Sequence, residues 1–136
     1  MDKFEGDPKD ILGIGLCTIR CCRAYLKEDG TLAQPALSWM DIRVSQPYEH
    51  VNPDVKYIVA SSGYITHRLT GERKDTVANY EYGWPVDVDK WQWSDDPEAY
   101  KATGMPREML FDLVMPGDVL GYVTEEAAEA TGLPRG

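Results

Sequence analysis

A short apolar run interrupted by glycines, Ile-Leu-Gly-Ile-Gly-Leu-Cys-Thr-Ile at positions 11–19, limits the folds open to this chain. Such a run is short for a helix and is typical of a strand covered on both faces, so it predicts a buried strand. Residues 23–26 and 35–39 predict two further strands, joined by a hairpin with Asp29 and Gly30 in its turn. We therefore expect three strands at the start of the fold.

A helix is predicted after these strands. Apolar residues recur on one face from Val55 to Leu69, and Asn52 before Pro53 is suited to capping the first turn. The helix should run to Leu69 and stop at Gly71, because glycine commonly ends a helix.

The second half of the chain is predicted to contain a loop, small helices and a strand. Aromatic and acidic residues without a sustained period fill 72–96, which favours a long structured loop. Short helices are expected to open at Pro97, Pro106 and Thr124, and 119–123 is expected to form an apolar strand. Strands and helices in this order predict a mixed α/β fold.

Charge and cysteine content disfavour several classes of protein. The formal net charge of -9 and the pI near 4.6 argue against a nucleic-acid partner, because phosphate binding needs clustered Lys and Arg. No apolar run reaches the roughly 18 residues that cross a bilayer, and the first residues lack an apolar signal core. Cys17, Cys21 and Cys22 form an odd set in one segment, which suits a reducing compartment and predicts a soluble, cytoplasmic protein.

The spacing of residues does not support metal binding or hydrolysis. The three cysteines with His50 or His67 lack the paired spacing of a zinc site, so no metal ligands are predicted. Ser61, His67 and Asp75 are the residue types of a hydrolase triad. However, the serine and histidine fall on different sides of a helix, and no nucleophile-elbow glycines flank the serine.

Several fragments of the sequence carry a family resemblance by occurring together in one order. They are Ile14-Gly-Leu16, Pro35-Ala-Leu-Ser-Trp39-Met-Asp41-Ile-Arg43, Gly63-Tyr-Ile-Thr-His-Arg-Leu-Thr-Gly71 with Asp75 downstream, Gly104-Met-Pro106, Leu113-Val-Met-Pro-Gly117 with Leu120-Gly121, and Glu126-Ala-Ala-Glu-Ala-Thr-Gly-Leu-Pro134. Each fragment alone is weak, but their shared order is hard to obtain by chance. From about Ile11 onward the chain resembles the N-terminal domain of FGGY carbohydrate kinases, the group that includes xylulokinase, ribulokinase and glycerol kinase.

The resemblance implies part of an actin-like, ribonuclease-H-like α/β domain. It also implies transfer of the γ-phosphoryl group of ATP to a sugar or polyol hydroxyl, with Mg²⁺. We divide the chain into a polar N-terminal segment at 1–10 and a partial N-terminal, sugar-binding kinase domain at 11–136.

The sequence departs from the family pattern in four places. The family's phosphate-binding Asp-x-Gly-Thr segment and its ATP-binding domain have no counterpart here, the stretch after Arg43 is shorter, and the catalytic base is expected beyond Gly136. The chain alone is therefore expected neither to transfer phosphate nor to bind ATP and Mg²⁺.

The resemblance places candidate substrate contacts at the end of the first predicted strand. Arg20 could donate forked hydrogen bonds to adjacent hydroxyls, and its alternative is a structural pair with a surface carboxylate. Cys21 follows where glycerol kinases carry Glu, so the identity of the sugar stays open.

Four further residues complete the predicted substrate site. Trp39, Asp41 and Arg43 would share one side of a strand, where they suit either substrate contact or a scaffold with an ion pair. Asp75 could contact the substrate or cap the next turn, and capping is favoured.

The aromatic loop and the absence of a complete site leave alternatives. Trp84, Trp91 and Trp93 could stack on a sugar, but anchoring of the loop is favoured.

The alternative function is a non-catalytic remnant that acts as a binding or protein-interaction module. Predicted partners are a sugar or polyol, a complementing kinase segment or a second copy joined through exposed sheet edges, with neither nucleic acid nor membrane.

Overall fold

The protein has a mixed α/β fold built from short elements. The structure is a computed structural model that describes residues 4–136, within which there are six strands and three α-helices. Residues 1–3 of the predicted polar segment lie outside the described residues. The strands are β1 (Arg23–Leu26), β2 (Tyr57–Ala60), β3 (Lys74–Thr76), β4 (Val86–Asp87), β5 (Gln92–Trp93) and β6 (Asp112–Val114), and the helices are α1 (Ser61–Thr70), α2 (Pro97–Thr103) and α3 (Glu125–Thr131).

The strands pair two by two within the described residues. Strands β1 and β2 are antiparallel, with Arg23 opposite Ala60. Strands β3 and β6 are parallel, with Asp75 opposite Leu113, and β4 pairs with β5 in antiparallel fashion. Helix α1 packs against β2 and β3, so it joins the first two sheets.

Aromatic side chains form the centre of the core. Tyr80, Trp84 and Trp93 are each less than a tenth exposed, and their ring centroids lie 4.7 to 6.4 Å apart. Such ring pairs contribute about 0.5–1.5 kcal/mol each beyond the burial of their area. The predicted anchoring of the loop is confirmed for Trp84 and Trp93, whereas Trp91 is 49% exposed. The loop prediction for 72–96 is wrong in part, because β3, β4 and β5 lie within it.

The predicted helix from Pro53 to Leu69 is wrong in its first half. Strand β2 occupies that part, and its Ile58 and Val59 are fully buried against β1. A short apolar run with β-branched residues fits either element, and pairing with β1 decides it. Helix α1 begins only at Ser61 and ends, as predicted, at Gly71, whose φ is +75°.

The predicted strand at 11–19 is wrong. This segment has no strand pairing, and Leu12 and Ile19 are 101% and 65% exposed. The pattern showed an apolar run, but a strand also needs a neighbour to bond its amides, and the described chain supplies none. The strand at 35–39 is reduced to one bridge between Leu37 and Arg23, and no strand forms at 119–123.

Turns and helix ends agree better with the predictions. The turn after β1 closes with Gly30 N bonded to Lys27 O at 3.0 Å, and Gly30 has a φ of +79°. Helix α2 begins at Pro97, and Thr124 caps α3 through the Ala127 amide at 3.2 Å. The helix expected after Pro106 is only a 3-10 turn that leads into β6. No described helix is long and apolar enough to cross a membrane.

Candidate functional site

Arg20 forms an exposed ion pair directly before β1. Its Nη1 lies 2.8 Å from Glu81 Oε1, and the two side chains are 55% and 44% exposed. An exposed pair of this kind contributes little to stability, so a ligand could replace either partner at small cost. The structural alternative predicted for Arg20, a pair with a surface carboxylate, is confirmed, and the guanidinium remains accessible.

Cys21 lies in a tight turn between Arg20 and β1. Its φ of +67° is unusual for a residue with a side chain, and such a backbone is often found in turns and at functional sites. Its thiol is free and partly exposed, as is that of Cys22, and the free thiol of Cys17 belongs to an exposed residue. The role of Cys21 in substrate contact stays a prediction.

Asp41 and Arg43 form a second ion pair at the surface, in which Arg43 is exposed and Asp41 is partly buried. The prediction that they lie on a strand is wrong. They lie at the start of a 3-10 turn, which Asp41 caps by accepting a hydrogen bond from the Arg43 amide at 3.0 Å. The predicted ion pair is confirmed, because the carboxylate accepts from Arg43 Nε and Nη2 at 2.9 and 2.6 Å. These hydrogen bonds lower the pKa of Asp41 to about 2 and raise the pKa of Arg43.

Trp39 lies just ahead of this pair with half its surface in solvent. It is 53% exposed, and Met40 and Ile42 beside it are each 74% exposed. An exposed indole face suits the C–H side of a sugar ring. The predicted contact of Trp39 with substrate stays a prediction.

Arg23, which sequence reasoning missed, connects the segments that hold these side chains. The residue is 3% exposed, and its guanidinium donates to Gln46 O at 3.4 Å and Gly83 O at 3.1 Å. It also lies over the ring of Trp84, with 5.6 Å to the centroid. Desolvation lowers the pKa of Arg23. An arginine within an apolar strand was the signal available in the sequence.

Asp75 lies on β3 and is fully buried against α1. Its carboxylate accepts from Ser62 Oγ at 2.6 Å, from the Thr76 amide at 2.7 Å and from Asn79 Nδ2 at 3.0 Å. Burial raises the pKa of Asp75, and these hydrogen bonds partly oppose that rise. These contacts form a buried hydrogen-bonded cluster. The capping alternative is wrong, because the 3-10 turn at 77–79 has Thr76 as its N-cap and no side-chain cap bond, and substrate contact by Asp75 stays a prediction.

The structure brings some of the predicted residues together. The turn at 81–84 carries Glu81, the partner of Arg20, and Gly83 in that turn lies near Val44 O in the turn that Asp41 caps. We call the four charged side chains Arg20, Asp41, Arg43 and Glu81 the candidate rim. Asp75 is not part of the candidate rim; it lies in the core, in contact with Tyr80.

Two clefts lie away from the candidate rim. One, of about 410 Å³, lies between the exposed segment at 11–16, the end of α1 and residues 117–123. The other, of about 540 Å³, is a shallow polar depression lined by residues that include Trp93, Arg107 and Asp112. Among residues 4–136, no group of three or more His, Cys, Asp or Glu side chains could hold a metal ion.

Comparison with known proteins identifies the group of proteins that the chain resembles. It is 57% identical over all 136 residues to a protein of Escherichia coli (strain K12) described as the uncharacterized sugar kinase YgcE. Over 75 residues it is 35% identical to the L-fuculokinase of the same organism. These relatives are sugar kinases. The chain spans 28% of the first and 16% of the second.

A solved structure agrees with this result at the level of the fold. The crystal structure of xylulose kinase from Rhodospirillum rubrum matches with a TM-score of 0.69 at 20% sequence identity, over 85% of this chain and 31% of the other. The predicted fold class is confirmed, because the chain has the fold of part of an actin-like, ribonuclease-H-like sugar kinase domain. No protein-family model matches the chain.

Proposed function

We propose that the chain is the sugar-binding part of an ATP-dependent carbohydrate kinase of the FGGY type. The observation that carries this proposal is the 57% identity to a described sugar kinase along the whole chain. The order of the sequence fragments, which resembles that of the FGGY group, and the fold match to xylulose kinase support it. The complete reaction would transfer a phosphoryl group from ATP to a sugar or polyol hydroxyl.

The candidate rim supplies groups suited to a polyhydroxylated ligand. The Arg20 guanidinium can donate to adjacent hydroxyls, and the Glu81 carboxylate can accept from them. The exposed face of Trp39 can stack on the ring of the ligand. In this proposal Cys21, Asp41, Arg43 and Asp75 line or support the same surface.

Phosphoryl transfer needs more than this surface. It depends on placing the acceptor hydroxyl in line with ATP, on a metal ion and on a carboxylate near the attacking oxygen. Mg²⁺ and ATP are implied by the family, and we assign no residue of this chain to them. We therefore expect the chain, in the cytoplasm, to bind a sugar without transferring phosphate by itself.

Two parallel assays test the proposal. Calorimetric titration of the purified chain with ketopentoses, ketohexoses, 6-deoxyketoses and polyols should detect binding of at least one of them. A coupled ADP-release assay with the same compounds, ATP and Mg²⁺ should give no turnover. Turnover would contradict the inactivity of the isolated chain, and the absence of sugar binding would favour the protein-interaction alternative.

A further inference from the structure

Arg23 is a buried cation whose contacts are neutral. Its side chain bonds two backbone carbonyl groups, interacts with the side chain of Tyr25 and covers the ring of Trp84. No carboxylate within the described chain forms an ion pair with it. Burying a charge costs free energy unless hydrogen bonds compensate. The planar fork of a guanidinium can bond two acceptors at once, so Arg23 can hold two segments of the backbone together.

The two carbonyl groups belong to the turns that carry most of the candidate rim. Gln46 O ends the turn that Asp41 begins, and Gly83 O lies in the turn closed by Trp84 N and Glu81 O at 3.2 Å. A β-carbon on Gly83 would lie 3.1 Å from Arg23 Nη2, so a side chain at this position would crowd the guanidinium.

The backbone of Arg23 fixes the other side of the same arrangement. Its N–H and C=O both bond Leu37, just ahead of the turn at 41–46, at 3.0 and 2.8 Å. It also pairs with Ala60 in β2, and it follows Arg20 by three residues along the chain. One residue thus connects a rigid strand with both turns.

We propose that Arg23 is a positioning residue, whose guanidinium clamps the turns at 41–46 and 81–84 and thereby sets the side chains of the candidate rim. Its effect on sugar binding rests on the proposed function, whereas the clamp itself does not. Arg23 acts through the two turns and needs no contact with the sugar.

Amide hydrogen exchange of the full chain tests the clamp without any ligand. In Arg23→Met, amides at 41–46 and 81–84 should exchange about tenfold faster or more, while those of β2 and α1 keep their wild-type rates. Arg23→Lys, which keeps the charge but cannot fork, should give intermediate rates and replaces the Met variant if that variant does not fold. The matched control is Arg68→Met, because Arg68 is exposed and lies 3.9 Å from its partner Glu126.

Chemical rescue separates positioning from general stability. Millimolar guanidinium should restore slow exchange in both turns of Arg23→Ala, and the same concentration of sodium chloride should not. Unchanged exchange in the two turns, acceleration spread evenly over the chain, or no rescue by guanidinium would each overturn the proposal.

Sugar affinity completes the test. If the wild type binds a sugar, Arg23→Lys should weaken it by about tenfold, and Arg68→Lys should leave it unchanged. Equal affinities in Arg23→Lys and the wild type would overturn the positioning role. If the wild type binds no sugar, the proposed function fails, while the exchange rates still decide the clamp.

Discussion

Burial of Asp75 makes the stability of the protein depend on the protonation of one carboxyl group. Because desolvation raises its folded-state pKa above the ordinary 3.8, the protonated group favours the folded state. Its contribution is fully present below the unfolded value and is lost as the pH rises through the folded pKa. The hydrogen-bond partners Ser62 and Asn79 reduce this loss without removing it.

The Asp75→Asn substitution should therefore remove a specific pH dependence. The unfolding free energy of the wild type relative to that of Asp75→Asn should fall as the pH is raised from 3.8 through the folded pKa. Urea unfolding at several pH values measures it, with Asp95→Asn as the exposed control. A difference that is constant with pH, or that grows as the pH rises, would show that burial does not control this group.

The partly exposed carboxylate of Asp41 behaves in the opposite way. Bonding to Arg43 lowers its pKa to about 2, so any contribution to stability is present above 3.8 and is lost as the pH falls through about 2. In Arg43→Met the pKa of Asp41 should rise towards 3.8. It should stay below 3.8 because the backbone N–H of residue 43 still donates to the carboxylate. A carboxyl-carbon NMR titration measures both values, and equal pKa values in the two proteins would show that the pair does not form.

At the level of elements, the contact between α1 and β3 depends on a glycine. A β-carbon at Gly63 would lie 3.0 Å from Asp75 Oδ2, 3.1 Å from Tyr80 Oη and 3.3 Å from Val59 Cβ. The group that Gly63 approaches is therefore the buried hydrogen-bonded cluster around Asp75. The helix can thus pack against the strand without displacing the carboxylate.

Gly63→Ala should destabilise the protein. The gain in helix propensity of about 1 kcal/mol is outweighed by crowding of the buried cluster, which typically costs about 1–3 kcal/mol. Gly15→Ala is the control, since nothing lies within 4 Å of its β-carbon position. Denaturant unfolding measures both changes, and a stabilised Gly63→Ala would mean that the helix moves away at little cost.

The elements also show which features the sequence could predict. Helix ends at Gly71 and Thr124 and the turn at Gly30 follow from local backbone chemistry, and all three were correct. The sequence predicts helix where β2 forms, because the strand depends on pairing with β1, which is distant in sequence. The strand prediction for the apolar run at 11–19 is wrong for the same reason, because a strand also needs a neighbouring strand with which to pair.

At the scale of the whole molecule, the order of short fragments in the sequence predicted the likeness to sugar kinases. The candidate site could be predicted only in part. Arg20 and Asp41 were found as candidates, but the pairing of Arg20 with Glu81 joins positions far apart in the chain. The role of Arg23 could not be predicted, because it depends on hydrogen bonds to two carbonyl groups that are distant in the sequence. Spacing within one segment cannot supply such long-range contacts.

The most direct test of the account is the sugar affinity of Arg20→Met compared with that of the wild type. Arg20 lies in the exposed pair with Glu81, so the substitution should leave the fold intact and remove hydrogen bonds from a charged donor. Calorimetry with the sugar that binds the wild type should show a loss of about tenfold to a hundredfold, and the control Arg68→Met should show none. Equal affinity in Arg20→Met and the wild type would contradict the account, because it would mean that the sugar does not bind at the candidate rim.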